Sequence, residues 1–402
     1  MILFNNYFKM DFLKEAKKIE NEIIELRRKL HRNPEIGFEL KETNKIVEDF
    51  LKKENIPYYK VAKSGIVATI KGEKQSSKEK TIAIRADMDA LPLIEKKETV
   101  YKSNTEGCMH ACGHDGHTAM VLGAGKVLNS LKNSFSGTVK LFFEPAEETT
   151  GGAQIMIKEG VLSNPKVDSV LGLHVDENLE CGKIGIKRGT VYASSNPFII
   201  KIFGSGAHGA SPNKGIDSIL IASEVVLALQ SIVSREMSPT SPVVITVGKI
   251  NGGRAQNAIA DEVILEGMIR TVKIEDRKFI TKRFREVVEG IVNCKRGKCE
   301  ITIHEGYPCL LNDNNIYDFF YKSAEEIVGK DNIKIYEEPT MGVESFSYFS
   351  LEVPSMFYWL GCRNEEKDII YPAHSSFFDI DEEALAIGVA IHSKMAVDFL
   401  NS

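Results

Sequence analysis

Thiol, imidazole and carboxylate side chains recur in five short segments of this 402-residue chain. The segments are RADMDALP, MHACGHDGHT, FFEPAEE, LGLHV and YPAHSSFFDID. Cleavage of an amide near neutral pH requires a nucleophile stronger than water, and a metal ion lowers the pKa of a bound water to about 7. A second metal roughly 3.5–4 Å away can hold the oxygens of the transition state. The residue types therefore predict a hydrolytic site with two divalent metals.

Five side chains are the candidate metal ligands: Cys112, His114, Glu148, His174 and His374. The adjacent Glu147 cannot point in the same direction as Glu148. One carboxylate can therefore hold metal while its neighbour accepts a proton from water and returns it to the leaving amine. Taken singly, a strand-end histidine, a glutamate pair or a cysteine has an ordinary structural explanation. Taken together, the groups favour one shared site.

The hydrophobic patterns predict the elements that position these groups. Short apolar runs predict four strands, at residues 65–70, 81–85, 138–143 and 167–175. Helical spacing predicts helices over residues 11–33, 118–132 and 154–159. This alternation predicts an α/β domain with a mixed sheet flanked by helices. Ligands in open α/β sheets bind beyond the carboxyl ends of the strands, so the clusters should converge there.

The pattern changes near residue 190. Residues 190–304 have a strand–helix–strand–strand–helix–strand order, which is typical of a ferredoxin-like α+β domain. After His304 the α/β pattern resumes and ends in a helix over residues 382–399. We therefore predict a catalytic domain of residues 1–189 and 305–402, with the domain of residues 190–304 inserted into it.

Composition and charge indicate a globular protein that is not specialised for nucleic acid or membranes. The chain is 43% hydrophobic and 27% charged, with a formal net charge of −5 and dispersed Lys and Arg. Seven cysteines, an odd and sparse set, argue against a disulfide framework. No uncharged apolar run approaches a membrane span, and the first residues lack a secretory signal. We expect cytoplasmic localisation, with Met1 or Met10 as the start.

The segment Gly204–Gly209 matches the GxGxxG pattern of dinucleotide-binding folds, and it follows a predicted strand. In those folds a helix begins at the third glycine, whereas here residues 211–215 read SPNKG and interrupt it. We interpret the segment as a glycine-rich bend that presents His208.

Nine motifs in order resemble the aminoacylase, hippurate hydrolase and auxin-conjugate hydrolase family of two-metal amidohydrolases, and they cover most of the chain. They are LRRKLHRNPEIGFEL, RADMDALP, MHACGHDGHTAMVLGA, FFEPAEE, LGLHV, GSGAHGASP, GGRAQNAIAD, GVESFSYF and PAHSSFFDIDEEAL. The resemblance implies that the five candidate ligands bind two divalent ions per chain: zinc, manganese, nickel or cobalt. It also implies that Glu147 is the general base.

The resemblance further implies roles for the inserted domain. That domain would act as a lid and would form a homodimer, with a tetramer as the alternative. His208, from its own subunit or the partner's, would stabilise the tetrahedral oxyanion, a contribution of about 10²–10³ in rate. Asn257 and Arg270 would hold the substrate carboxylate, although a strand arginine is equally often a surface charge. Asp87 replaces a histidine ligand of more distant relatives, so Asp87 and Asp89 are expected to orient the ligands.

The sequence therefore predicts hydrolysis of the amide bond of N-acyl amino acids, with acetyl, benzoyl or similar acyl groups. Cleavage of short peptides at the same site is the alternative. A thiol hydrolase using Cys112 with His114 or His117 would work without metal and would leave the other clusters without a role. A non-catalytic protein with a structural metal would need only four ligands and no base.

Overall fold

A computed structural model of the protein describes residues 10–402. The choice of start residue and the expected lack of a secretory signal in residues 1–9 lie outside this range. The chain divides into two compact units. The first contains the chain up to Gly189 together with Leu311–Glu337 and Tyr348–Ser402. The second contains Thr190–Leu310 and Glu338–Ser347.

The chain up to Gly189 alternates helices and strands, as the hydrophobic pattern predicts. The prediction of one helix over residues 11–33 is wrong, because the helix breaks at Ile19, where φ is −107° and ψ is 4°. The helices are α1 (Phe12–Lys18), α2 (Glu20–Arg32), α3 (Lys41–Lys53), α4 (His114–Ser130) and α5 (Ala153–Lys158). The strands are β1 (Tyr58–Val61), β2 (Gly65–Lys71), β3 (Thr81–Asp87), β4 (Thr138–Glu144), β5 (Ser169–Glu180) and β6 (Ile184–Ile186).

The next segment folds into an antiparallel sheet with two long helices. Its strands are β7 (Gly189–Tyr192), β8 (Ser194–Phe203), β9 (Ala207–His208), β10 (Val243–Gly252), β11 (Ala258–Ile259), β12 (Glu262–Thr271) and β13 (Lys298–Ile303). Its helices are α6 (Ser218–Ser231) and α7 (Ile274–Cys294). The strand order β10-β12-β8-β13 is the expected ferredoxin-like order. Phe198 on the sheet packs against Phe284 on α7, with ring centroids 4.6 Å apart and the rings tilted by 54°.

The last segment returns to the first unit and completes its sheet. Its elements are β14 (Leu310–Asn312), α8 (Asn314–Val328), β15 (Ile333–Ile335), α9 (Ser347–Glu352), β16 (Ser355–Arg363) and α10 (Glu383–Leu400). Residues 338–347 belong to the second unit, whereas we predicted them in the first. The backbone N–H of Ala193 donates to the carbonyl oxygen of Thr340 at 3.1 Å, a long-range bond that local patterns do not reveal.

The first unit is built on an eight-stranded mixed sheet in the order β1-β2-β4-β3-β5-β16-β6-β15. β3 runs parallel to β4 and β5, and β16 runs parallel to β5. Every residue of β3 and β4 is buried, including the charged Arg85 and Lys140, which donate hydrogen bonds to Glu144 and to the carbonyl oxygen of Val161. α4 and α10 pack together and against β3. The carboxyl ends of β3 and β4 therefore meet at one edge, where Asp87 and Glu144 lie.

One described helical segment, Ser218–Glu236, is long and apolar enough to cross a membrane by length and composition alone. It comprises α6 and the π-helical turn Ile232–Glu236. Ile221, Val225 and Leu229 on this helix are buried in the core of the second unit. A single such helix is weak evidence for a membrane span, since core helices of globular domains have the same composition.

Candidate metal centre

The turn that leads into α4 carries two of the predicted ligands. Gly113 has a φ of +87°, and a Cβ atom there would come within 2.4 Å of Val175 Cγ2, so the turn requires glycine. Cys112 precedes this glycine, and α4 begins at His114 rather than at residue 118 as predicted. Nδ1 of His114 donates to the backbone oxygen of Asp89 at 2.9 Å. That bond leaves Nε2 of His114 as the ligand atom.

The glutamate pair follows a strained turn at the end of β4. Ala146 has a φ of +60°, which is rare outside glycine and typical of functional turns. The backbone N–H groups of Glu147 and Glu148 donate to Oδ1 and Oδ2 of Asp89, at 2.9 and 3.1 Å. A single buried carboxylate therefore fixes the backbone that carries both glutamates.

The remaining two histidines each approach another predicted ligand. Nδ1 of His174 bonds the carbonyl oxygen of Val175 at 2.7 Å, and its Nε2 lies 3.3 Å from Sγ of Cys112. His174 lies inside β5, which continues to Glu180, and not at a strand end as predicted. His374 has a φ of +64°, and its Nε2 lies 3.3 Å from Oε1 of Glu148.

The structure brings all five predicted ligands together. Their ligand atoms form overlapping groups of three, and within each group the atoms lie within 4.8 Å of one another. The groups that contain a pair of the predicted ligands or more are Cys112, His114 and His174; Cys112, Glu148 and His374; and His114, Glu147 and Glu148. A fourth group joins His114 to Asp87 and His117. Cys112 is shared by the first two groups, so one thiolate sulfur could contact both of two cations.

Two buried atoms of this cluster form no well-directed hydrogen bond with the residues that the structure describes, although Nε2 of His374 lies within ion-pair range of one of them. They are Nε2 of His114 and Oε1 of Glu148, which lie 3.9 Å apart. A buried polar atom without a partner costs free energy, and a cation bound at each of these atoms would satisfy it. Thiolate, imidazole and carboxylate together suit zinc and neighbouring transition metals. The residues present therefore fit a divalent metal.

The electrostatics of the protein alone leave the thiol protonated. Burial raises the pKa of Cys112 well above its usual value. Burial also favours protonation of Glu148, but the nearby His374 and His114 lower the pKa of this carboxyl to about 2. Because the ligating form of a cysteine is the thiolate, metal binding at Cys112 would have to release a proton.

The buried carboxylate of Asp87 is hydrogen-bonded to two side chains beside the candidate ligands. Its Oδ1 accepts from Nδ1 of His117 at 2.6 Å, and its Oδ2 accepts from Nη1 of Arg85 at 2.7 Å. Nε2 of His117 accepts the backbone N–H of Val175 at 3.0 Å. Burial lowers the pKa of His117 to about 4. With both ring nitrogens bonded, His117 is poorly placed to deprotonate Cys112. Sequence analysis missed this supporting role, although His117 recurs one helical turn after His114.

In the second unit, His208 and Asn257 are neighbours. His208 pairs with Ala258 between β9 and β11, and the backbone N–H of Gly209 donates to the carbonyl oxygen of Asn257 at 2.7 Å. The backbone N–H of Ala210 donates to Nδ1 of His208 at 3.1 Å. Nε2 of neutral His208 therefore carries the proton, which makes the exposed edge of this ring a hydrogen-bond donor.

Arg270 lies on β12 of the second unit. It is half-buried, and its Nη1 donates to the carbonyl oxygen of Met341 at 2.9 Å. Burial lowers its pKa, although arginine stays charged. Elsewhere in the second unit, Oδ1 of Asn196 accepts from Nε of Arg277 at 2.8 Å.

The profile of Peptidase family M20/M25/M40 matches residues 83–398. The chain belongs to this family and is a hydrolase of amide bonds. It is 36% identical over 392 residues to thermostable carboxypeptidase 2 of Saccharolobus solfataricus, covering 96% of this chain and 98% of the relative. It is 38% identical over 383 residues to IAA-amino acid hydrolase ILR1-like 4 of Arabidopsis thaliana, covering 94% of this chain and 86% of the relative.

A solved structure has the same fold. The crystal structure of a dinuclear metal-binding peptidase of the M20 family from Bacillus subtilis matches with a TM-score of 0.82 and 32% identity. The match covers 96% of this chain and 99% of the other. The predicted fold class and family resemblance are thus confirmed, and the residue roles at the site stay predictions.

Proposed function

We propose that the protein hydrolyses the amide bond of N-acyl amino acids at a site that holds two divalent cations. Cys112, His114 and His174 would hold one cation, and Cys112, Glu148 and His374 the other. The observation that carries this proposal is the sulfur of Cys112 shared by two groups of candidate ligands, with the carboxylate of Glu147 beside them. When bound, the cations would supply positive charge that acidifies water and polarises the scissile carbonyl.

Glu147 is proposed as the general base. Its side chain is largely buried, and its backbone N–H is held by Asp89. A carboxylate oxygen of Glu147 belongs to a group of ligand atoms with His114 and Glu148 that spans at most 4.8 Å. From that position Glu147 can take the proton from the attacking water and return it to the leaving nitrogen.

Residues of the second unit would bind the substrate carboxylate and the oxyanion that forms during the reaction. The Nε2–H of His208 is an exposed donor suited to the oxyanion that forms when water adds to the carbonyl. Asn257, beside it, and Arg270 on β12 would hold the carboxylate of the amino acid. The guanidinium of Arg270 keeps donors beyond the one bond to Met341, because the group has five N–H donors.

Cleavage of short peptides is the second candidate function. The 36% identity to a thermostable carboxypeptidase favours it, since that relative matches over nearly its full length. An N-acyl amino acid and a C-terminal peptide bond present the same amide beside the same carboxylate. The two functions therefore differ only in which acyl side the site accepts.

We also propose a homodimer formed by the second unit. β10 is an edge strand of its sheet, and Ile250 on that strand has 55% of its surface exposed. Leu220 and Leu227 on α6 are exposed by 53% and 74%. An unpaired strand edge beside exposed apolar side chains is suited to pairing with a second copy of the chain.

The test measures turnover of a panel of substrates by enzyme from which metal has been removed and to which a divalent metal has then been added back. N-acetyl, N-benzoyl and N-indolylacetyl amino acids would be compared with dipeptides that have the same C-terminal residue. Turnover of acylated amino acids that requires added Zn²⁺, Mn²⁺, Ni²⁺ or Co²⁺ supports the proposal. Turnover of the dipeptides alone would contradict hydrolysis of N-acyl amino acids and would support the carboxypeptidase function instead. Full turnover after exhaustive chelation would refute both.

A further inference from the structure

A fully buried arginine on α2 bonds three carboxylates of the first unit. Nε of Arg27 donates to Oδ2 of Asp115 at 2.7 Å, and Nη2 donates to Oδ1 of Asp379 at 2.8 Å. Nη1 donates to Oε1 of Glu382 at 3.3 Å. Arg27 belongs to the motif LRRKLHRNPEIGFEL, to which the proposed function assigns no role.

Two of these carboxylates lie close in sequence to proposed metal ligands. Asp115 directly follows His114, the first residue of α4. Asp379 lies in the segment that follows His374 and leads into α10. The guanidinium of Arg27 therefore connects the chain segment that carries one histidine with the segment that carries the other.

Neighbouring groups hold this connection rigid. Nδ1 of His31, one turn along α2, lies 2.8 Å from Oδ2 of Asp115. The hydroxyl of Tyr101 donates to Oδ2 of Asp379 at 2.8 Å. The ring of Tyr101 lies 4.8 Å from Cζ of Arg27, within the range of a cation–π contact. Both oxygens of Asp379 are thus bonded.

Stability alone is a weak explanation for this arrangement. Burial of an ion pair costs desolvation energy, and well-packed apolar residues often give equal or greater stability. An apolar cluster has no directional bonds, whereas the charge-assisted hydrogen bonds of Arg27 can fix the distance between two chain segments. His114 and His374 belong to different groups of three, so their separation bears on whether both groups form at once.

We propose that Arg27 is a positioning residue that holds His114 and His374 at the separation required for two cations. This inference rests on the proposed function, because it takes the ligand assignment given there. Groups that orient metal ligands typically account for 10–100-fold in metal affinity. Loss of Arg27 should weaken Zn²⁺ binding by roughly that factor.

The experiment compares the rise in melting temperature that Zn²⁺ produces in wild type and in Arg27→Met. A ligand stabilises the folded state in proportion to the logarithm of its concentration over Kd. A positioning role predicts a smaller Zn²⁺-induced rise in the variant and a roughly 10–100-fold weaker affinity in a titration against a competing chelator. A purely structural role would lower the melting temperatures with and without Zn²⁺ equally, which would overturn the proposal.

Two further variants sharpen the result. Arg277→Met removes a half-buried arginine of the second unit that bonds Asn196 and backbone oxygens, and it should leave Zn²⁺ affinity unchanged. If Arg27→Met does not fold, Asp379→Asn weakens the same connection more gently and is judged by the same two measurements. Wild-type Zn²⁺ affinity in a folded Asp379→Asn would then count against the proposal.

Cys112→Ala separates failure of this inference from failure of the proposed function. If Cys112→Ala loses Zn²⁺ binding while Arg27→Met and Asp379→Asn keep it, only the positioning role fails. If Cys112→Ala binds Zn²⁺ as wild type does, the ligand assignment itself is wrong, and the positioning role fails with it.

Discussion

Oδ1 of Asp89 accepts the backbone N–H of Glu147 at 2.9 Å, across 58 positions of sequence. The other carboxylate oxygen of Asp89 binds the next N–H, so the residue holds the backbone of both glutamates. Its own backbone oxygen accepts from His114. Asp89 therefore positions three side chains of the proposed centre, although we do not propose it as a ligand.

Asp89→Asn should lower kcat by about 10–100-fold, because an amide presents only one acceptor oxygen to the two N–H groups. The expected change in melting temperature is small, since the shape of the side chain is kept. Steady-state kinetics with a fixed metal supply measure this effect. Asp168→Asn is the control, because its carboxylate also accepts a backbone N–H, from Thr81 at 2.8 Å. An equal decrease in kcat in both variants would contradict the positioning role of Asp89.

Glu147→Gln should retain bound metal and lose turnover by at least about 10²–10⁴-fold, because an amide cannot accept the proton from water. Metal analysis of the purified variant and single-turnover kinetics give the two readouts. Substantial activity would eliminate Glu147 as the base. Loss of metal along with activity would instead assign it to the ligand set.

Chelation should abolish activity, and added divalent metal should restore it. Cys112→Ser should bind metal more weakly, since a serine hydroxyl does not replace a soft thiolate. Metal content after dialysis and activity across a metal titration measure the change. Metal-free enzyme that keeps its activity, together with an inactive Cys112→Ser, would favour the thiol-hydrolase alternative.

Leu227→Glu should convert a dimer into monomers, because it places a charge on the exposed apolar surface of α6. Light scattering coupled to size-exclusion chromatography measures the mass of each species. Val100→Glu is a suitable control, since Val100 is exposed by 83% and belongs to the first unit, whereas α6 belongs to the second. A wild-type protein that is monomeric at high concentration would contradict the proposed interface.

Lys140 should make the free energy of unfolding depend on pH in the alkaline range. Burial lowers its pKa to about 8, and its ammonium donates to the carbonyl oxygen of Val161 at 2.8 Å. Between that pH and roughly 10.4 the unfolded chain binds more protons than the folded one, so stability rises with pH. The free energy of unfolding of wild type relative to Lys140→Met should therefore increase from pH 8 to 10.5.

Lys126→Met provides a comparison of opposite sign. Partial burial would lower the pKa of Lys126, but hydrogen bonds to Glu22 and Glu54 raise it. Its stabilising contribution is present below the unfolded value and is lost as pH rises through the raised one. Denaturant unfolding of the three proteins across this pH range makes the comparison. If the free energies of unfolding of wild type and Lys140→Met changed with pH in parallel, the lowered pKa of Lys140 would be contradicted.

Local patterns in the sequence predicted most of the longer helices and strands and indicated the candidate ligands. The strand predicted at residues 138–143 is β4, Thr138–Glu144, which agrees to within one residue because a short apolar run marks it. The types of the five candidate ligands indicated a metal site before their positions were known. These properties depend on residue type and on spacing of only a few positions, which the sequence states directly.

Tertiary structure decided the rest, because the relevant partners are distant in sequence. β6 and β15 have three residues each, and they form because β6 pairs with both β15 and β16, so no local pattern predicts them. The sharing of Cys112 between two groups of ligands requires the α4 turn, β4, β5 and the His374 segment to be placed together. Burial and long-range hydrogen bonds set these distances, and neither is a property of a short stretch of sequence.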